Sequence, residues 1–192
     1  MKKIFAVLFL AVALVMPVFA ADDTDLELIP KIGYLFSPEI TAHSHSYSKD
    51  SAISVGADLF FDMQNNFFLG VGLVWGQNTK YDSDVDEKIG FTNLYAAVKY
   101  KFLVNGSEED PCYLYPLVQL GMGIPGWEVS GFFSDYEINS GFYWGLGIGG
   151  EVKNIILEFV YGCNYATRKV DGHSDDFSYT AFRINVGYKF IL

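Results

Sequence analysis

The chain has 192 residues, 23 of them acidic and 13 basic, for a net charge of −10. That length supports one domain with a filled interior, and an acidic surplus with no basic stripe excludes nucleic acid as a partner. Hydrophobic residues make up 51% and aromatics 17%, with 19 glycines, yet no stretch after the N-terminus is apolar for long enough to be a membrane helix, so the apolar content is dispersed rather than blocked.

Residues 1–20 read as an export signal. Lys2 and Lys3 form a basic start, Ile4 to Met16 is a nearly unbroken apolar run, and Pro17 precedes Val18-Phe19-Ala20, whose spacing of small residues suits signal peptidase. Cleavage after Ala20 leaves 21–192 as the single mature domain, and loss of the two lysines takes the net charge to −12. No cysteine follows the signal, so a lipid anchor is not expected. Cys112 and Cys163 allow one disulfide in an oxidising compartment. Their places near opposite ends of non-neighbouring strands favour free thiols.

The mature chain then alternates with a period of two, the mark of strands. In the first, Leu26, Leu28, Ile32, Tyr34 and Phe36 oppose Glu27, Lys31 and Gly33. The second sets Ile53, Val55, Ala57, Leu59 and Phe61 against Ser54, Gly56 and Asp58. The third sets Phe67, Leu69, Val71, Leu73 and Trp75 against Gly70, Gly72 and Gly76. A short turn, Asp62 to Asn66, joins these two. The fourth places Leu94, Ala96, Val98, Tyr100 and Phe102 opposite Asn93, Tyr95, Lys99 and Lys101; the fifth places Leu114, Val118, Leu120 and Met122 opposite Tyr113, Tyr115, Gln119 and Gly121. Pro116 cannot donate to a ladder and implies a strand end or bulge. In the sixth, Phe142, Trp144, Leu146 and Ile148 oppose a glycine-rich column ending at Glu151. After a tight turn at Lys153-Asn154, the seventh sets Ile155, Leu157, Phe159 and Tyr161 against Glu158, Gly162 and Asn164. The eighth carries Phe182, Ile184, Val186, Tyr188, Phe190 and Leu192 against Arg183, Asn185, Gly187 and Lys189.

The links alternate. Short or moderate turns are expected after the even-numbered strands, and longer polar loops at Ser37 to Asp50, Gln77 to Lys88, Pro125 to Asn139 and Ala166 to Asp176. This is the pattern of an eight-stranded antiparallel up-and-down transmembrane β-barrel, with both termini periplasmic and the long loops outside. Three features turn the apolar parity toward lipid. Its aromatics concentrate at strand ends, with Phe61, Phe67, Tyr100, Phe102, Tyr188 and Phe190 near the short turns and Tyr34, Phe36, Trp75, Phe142, Trp144 and Tyr161 near the loops, as two membrane interfaces select. The other parity mixes glycine with a charge network, Glu27, Lys31, Asp58, Lys99, Glu151, Glu158, Arg183 and Lys189, whose opposite signs pair inside a narrow barrel. Finally, a closed barrel is the only sheet that satisfies every backbone group in hydrocarbon.

From about Glu27 to Leu192 the chain resembles the small eight-stranded outer-membrane barrels typified by the OmpA transmembrane domain, OmpX and OmpW. Its end, Val186-x-Tyr188-x-Phe190-x-Leu192, resembles that family's alternating terminal signal, but closes on leucine where the family usually has an aromatic. The resemblance implies an integral outer-membrane location, the barrel-assembly machinery as a partner, and a lipid and lipopolysaccharide environment. It implies no single activity.

Other motifs are weaker. Asp82-x-Asp84-x-Asp86 opens like a calcium loop but has Glu87 where the turn glycine belongs and Asn93 where the bidentate glutamate belongs, so it reads as a solvated acidic loop. His43, His45 and His173 lie in outer loops that closure of the first strand on the eighth would bring near one another, with Asp171, Asp175 or Asp176 as further metal donors. Solvated histidines are the commoner outcome. The His-x-Ser spacing of a lipid deacylase is absent, because His43 precedes His45, His45 precedes Tyr47 and His173 precedes Asp175, and a charged interior does not suit a palmitoyl chain.

No enzyme activity and no cofactor is therefore expected. The leading expectation is a structural or adhesin-like barrel that meets host or surface ligands through its loops. The alternatives are a narrow pore or small-solute conduit of the OmpW kind, a lipid-modifying enzyme, and a soluble secreted binding barrel with its apolar faces inward.

Overall fold

Period-two alternation becomes eight long antiparallel strands in the computed structural model, which describes residues 26–42, 45–48, 50–80, 87–105, 111–129, 136–170 and 173–192. They are β1 (Leu26–Ala42), β2 (Ala52–Asp62), β3 (Phe67–Gly76), β4 (Glu87–Tyr100), β5 (Cys112–Val129), β6 (Gly141–Val152), β7 (Ile155–Val170) and β8 (His173–Tyr188). Each pairs with its neighbours in the chain, and β1 pairs with β8 from Lys31↔Gly187 to Ala42↔Phe177, which closes the ring. Five short segments extend it: His45–Ser48 and Phe190–Ile191 on β1, Thr79–Lys80 on β4, Phe102–Asn105 on β5, and Tyr136–Asn139 on β7.

The short turns are made by residues that tolerate left-handed backbone. Between β2 and β3, Gln64, Asn65 and Asn66 have φ of 73°, 54° and 65°. The Met63 N–H donates to the Phe67 carbonyl at 2.8 Å, and the Gln64 N–H donates to Asp62 Oδ1 at 2.8 Å. Between β6 and β7, Lys153 takes φ 55°.

At the other end the sequence expectation needs correction. The four long loops are in part strand: β1 continues to Ala42, β4 begins at Glu87, β5 runs to Val129, and β7 and β8 extend to Val170 and back to His173. A strand crosses hydrocarbon in about 9–11 residues, and β1, β5, β7 and β8 have 17, 18, 16 and 16. Beyond the lipid neither face has to be apolar, so the alternation fades while the backbone ladder continues. β1 passes a bulge between Phe36 and Glu39, with Ser37 at φ 32°, and that shift of register masks its continuation in the sequence.

Pro116 is also explained. It lies within β5, paired with Ile148 on one side. On the other, the β4 ladder stops at Lys99↔Leu117 and resumes at Phe102↔Leu114. The missing N–H leaves the gap opposite Tyr100 and Lys101, and the Lys101 N–H donates instead to the Asn66 carbonyl at 2.9 Å.

The faces are decided by burial. Ile148 is 65% exposed and Phe182 63%, whereas Lys99 and Glu158 are 0%. The apolar parity therefore points outward, and the soluble barrel with inward apolar faces is overturned. Aromatics rim the outer band at both ends. On the turn side, Phe67 pairs in register with Tyr100, and the Tyr100–Phe102 and Tyr188–Phe190 ring centroids are 4.8 and 4.9 Å apart. On the loop side, Trp144, Tyr161 and Phe182 form a run with centroids 5.8 and 4.8 Å apart, and Phe36 pairs with Phe182.

A charge placed on this band should be expensive. Leu146→Arg is expected to destabilise the barrel in lipid vesicles by about 2–4 kcal/mol, and Lys169→Glu, on an exposed residue near the end of β7, by less than about 0.5 kcal/mol. Urea unfolding followed by heat-dependent gel mobility reads both.

Candidate functional site

The side chains that meet inside the ring do so because every second residue of a strand faces inward. Nearest the short turns, Glu27 of β1 accepts hydrogen bonds from Lys99 Nζ at 2.7 Å and Lys101 Nζ at 2.6 Å. Lys101 also pairs with Glu151 of β6 at 2.7 Å. Lys189 donates to Glu151 and lies 3.8 Å from Glu27. Three ammonium groups thus share two carboxylates. The lysines also lie against ring faces, Lys99 at 4.0 Å from the Phe60 centroid and Lys101 at 4.3 Å from that of Phe68, which offsets part of their desolvation.

A second ionic layer is centred on Lys31. Its ammonium lies 2.5 Å from Asp58 Oδ2 and 3.2 Å from Glu158 Oε2. Tyr95 donates its hydroxyl to Asp58 Oδ1 at 2.7 Å, Tyr115 donates to Glu158 Oε1 at 3.2 Å, and Asn185 Nδ2 donates to Glu158 Oε2 at 3.2 Å. The tyrosines fit because glycine faces them: a Cβ on Gly149 would stand 2.2 Å from the Tyr115 ring, and one on Gly72 would stand 2.2 Å from Asp58 Oδ1. Tyr143 donates to Gln119 Oε1 at 2.7 Å, and Arg183 Nη2 lies 3.5 Å from the same oxygen.

Apolar side chains fill what remains. Ile29, Phe60, Phe68, Val74, Leu117, Ile156 and Val160 pack between the ionic layers and the wall. At the loop end Ile40, Ile89, Phe91, Ala166, Phe177 and Tyr179 form a separate cluster, with Phe91 5.1 Å from Tyr179 and 6.5 Å from Phe177 between ring centroids. The extended ends of β4, β7, β8 and β1 meet through it, across the mouth of the barrel.

The structure brings together all eight charged residues named from the sequence, Glu27, Lys31, Asp58, Lys99, Glu151, Glu158, Arg183 and Lys189, within one filled interior. Lys101 joins that network from the same parity as Lys99, in addition to the eight charges expected from the sequence. Much of the inward column is apolar or phenolic rather than charged. Val186, Tyr188, Phe190 and Leu192 all face outward and are exposed, and the Leu192 N–H donates to the Leu26 carbonyl at 2.9 Å.

Cys112 and Cys163 are free thiols. They pair with Val152 and Trp144 of β6, eight positions apart, or about 26 Å at strand rise. His43, Asp82, Asp84 and Asp86 lie outside the described residues, as do the side chains of His45 and His173. In backbone register His45 pairs with Ala42, which pairs in turn with Phe177 of β8, and His173 pairs with Val170.

Residues 5–190 match the family model described as outer membrane protein beta-barrel domain. No curated protein matches the chain. Among solved structures, Neisserial surface protein A is 17% identical with a TM-score of 0.53, covering 88% of this chain and 100% of that one. Ail, the attachment invasion locus protein of Yersinia pestis, solved with the heparin analogue sucrose octasulfate, is 14% identical with a TM-score of 0.53, over 86% and 99%. The outer membrane protein AlkL, solved in lipid bilayers, is 11% identical with a TM-score of 0.56, over 88% and 92%. Identities this low carry the fold alone.

Removing one member of a buried ion cluster leaves its partners uncompensated. Glu27→Gln is expected to cost about 3–5 kcal/mol, and adding Lys99→Met is expected to recover part of it. Equilibrium unfolding of the two single variants and the double variant reads that coupling.

Proposed function

The chain belongs to the outer membrane protein β-barrel domain family, and from that premise we propose that it is a non-enzymatic structural and surface-interaction protein, acting through the wall and loops that rise beyond the lipid. The observation that supports this best is the filled interior. Two ionic layers and an apolar cluster occupy the lumen, and an eight-stranded barrel has little room besides. What remains for recognition is the surface beyond the membrane. There β7, β8 and β1, flanked by Tyr136–Asn139 and His45–Ser48, form a continuous five-stranded extension.

In this reading residues 1–20 are removed on export, the short turns and both termini face the periplasm, and the extended ends face outward. The exposed apolar band contacts outer-membrane lipid and lipopolysaccharide. The outward alternation Val186, Tyr188, Phe190 and Leu192 is the strand presented to the barrel-assembly machinery. The polyanion seen on Ail does not transfer by charge, since this chain carries 23 acidic against 13 basic residues; a cationic or uncharged surface ligand fits better.

Planar-bilayer recording separates this reading from the narrow conduit. Purified protein should give no stable unitary steps, and reproducible steps of one size would reverse the assignment. Incubation with labelled lipid A and phospholipid should leave both unmodified; a product that depends on the protein would make it an enzyme.

A further inference from the structure

Five cations face the barrel interior among the described residues, Lys31, Lys99, Lys101, Arg183 and Lys189, against four carboxylates, Glu27, Asp58, Glu151 and Glu158. Each lysine has a carboxylate within 4.0 Å. Arg183 has none. Its guanidinium is buried beside the Tyr143 hydroxyl, and its Nη2 lies 3.5 Å from the neutral amide oxygen of Gln119. Its Nε has no hydrogen-bond partner. In a protein interior surrounded by hydrocarbon, a surplus charge is costly unless a counter-charge lies against it.

Beside this guanidinium is a cavity of about 20 Å³, lined by Leu35, Asn93, Tyr143, Asn164, Tyr179 and Arg183 together with Val160, Gly162 and Ala181. It has room for a single water or halide. Asn93 and Asn164 are both buried, and each has an amide oxygen without a partner. Half a turn about the side-chain amide exchanges that oxygen for an NH₂ group, so two residues that line the cavity with Arg183 can each supply it with an N–H donor.

We infer that the barrel binds one small monovalent anion, of halide size, in the cavity between the Arg183 guanidinium and the Asn93 and Asn164 amides. One such ion balances the surplus interior cation and satisfies the orphaned Nε. Chloride and bromide have the charge and size the cavity accepts, whereas gluconate is too large to enter.

The test uses full-length protein refolded into lipid vesicles or detergent. In crystals grown from bromide, an anomalous peak should stand beside Arg183; a site occupied by water only would overturn the proposal. In urea titrations at fixed ionic strength, the folding equilibrium constant should rise about tenfold for each tenfold increase in chloride above its dissociation constant, with gluconate as the balancing anion. A flat response would also overturn it. Asn164→Asp places a carboxylate at the cavity, so this variant should stay folded and lose the chloride dependence. Full retention of that dependence in Asn164→Asp or in Arg183→Gln would locate the ion elsewhere and defeat the assignment.

Discussion

Backbone hydrogen bonding without water is the constraint on which the rest of this structure depends. Hydrocarbon offers no partner to an N–H or a carbonyl, so a sheet crossing it has to close, and here the β1–β8 seam does so. With eight strands the ring encloses only a narrow column. Every other residue of every strand is committed to that column, whatever its chemistry, and the opposite residues are committed to lipid.

The interior follows from this geometry. Charged groups carried into the column reach no bulk water, so they pair with one another: Lys31 holds Asp58 and Glu158, while Glu27 and Glu151 are shared among three lysines. Tyrosines on facing strands supply the remaining donors. Glycines at Gly72 and Gly149 leave the volume that these phenols occupy. The same inward parity carries Phe60, Phe68 and Val74, so the column is packed by apolar and ionic groups together.

Above the lipid the constraint relaxes on side chains but not on the backbone. The ladder of β7 and β8 continues to Val170↔His173, and apolar residues inside the raised wall, Phe91 and Phe177 among them, hold its two sides together. A filled lumen and a rim of extended strands belong to one arrangement.

The sequence by itself determined the number of membrane-crossing strands, their order, and which side chains share a face. Each of those is local: a two-residue period is imposed wherever one face meets lipid and the other does not. Most of the ion network was legible for the same reason, because Glu27, Lys31, Asp58 and Arg183 stand on the inward parity. Only the tertiary structure decided how far the strands rise beyond the membrane, since Glu39 to Ala42 and Ala166 to Val170 pair through backbone groups that leave no mark on the side-chain pattern. It also decided which charge meets which. Lys31 and Glu158 are 127 positions apart in the chain, and their contact depends on ring closure and strand stagger, which no local pattern encodes. The same stagger leaves Arg183 without a carboxylate within 4.0 Å among the described residues and opens the cavity beside it.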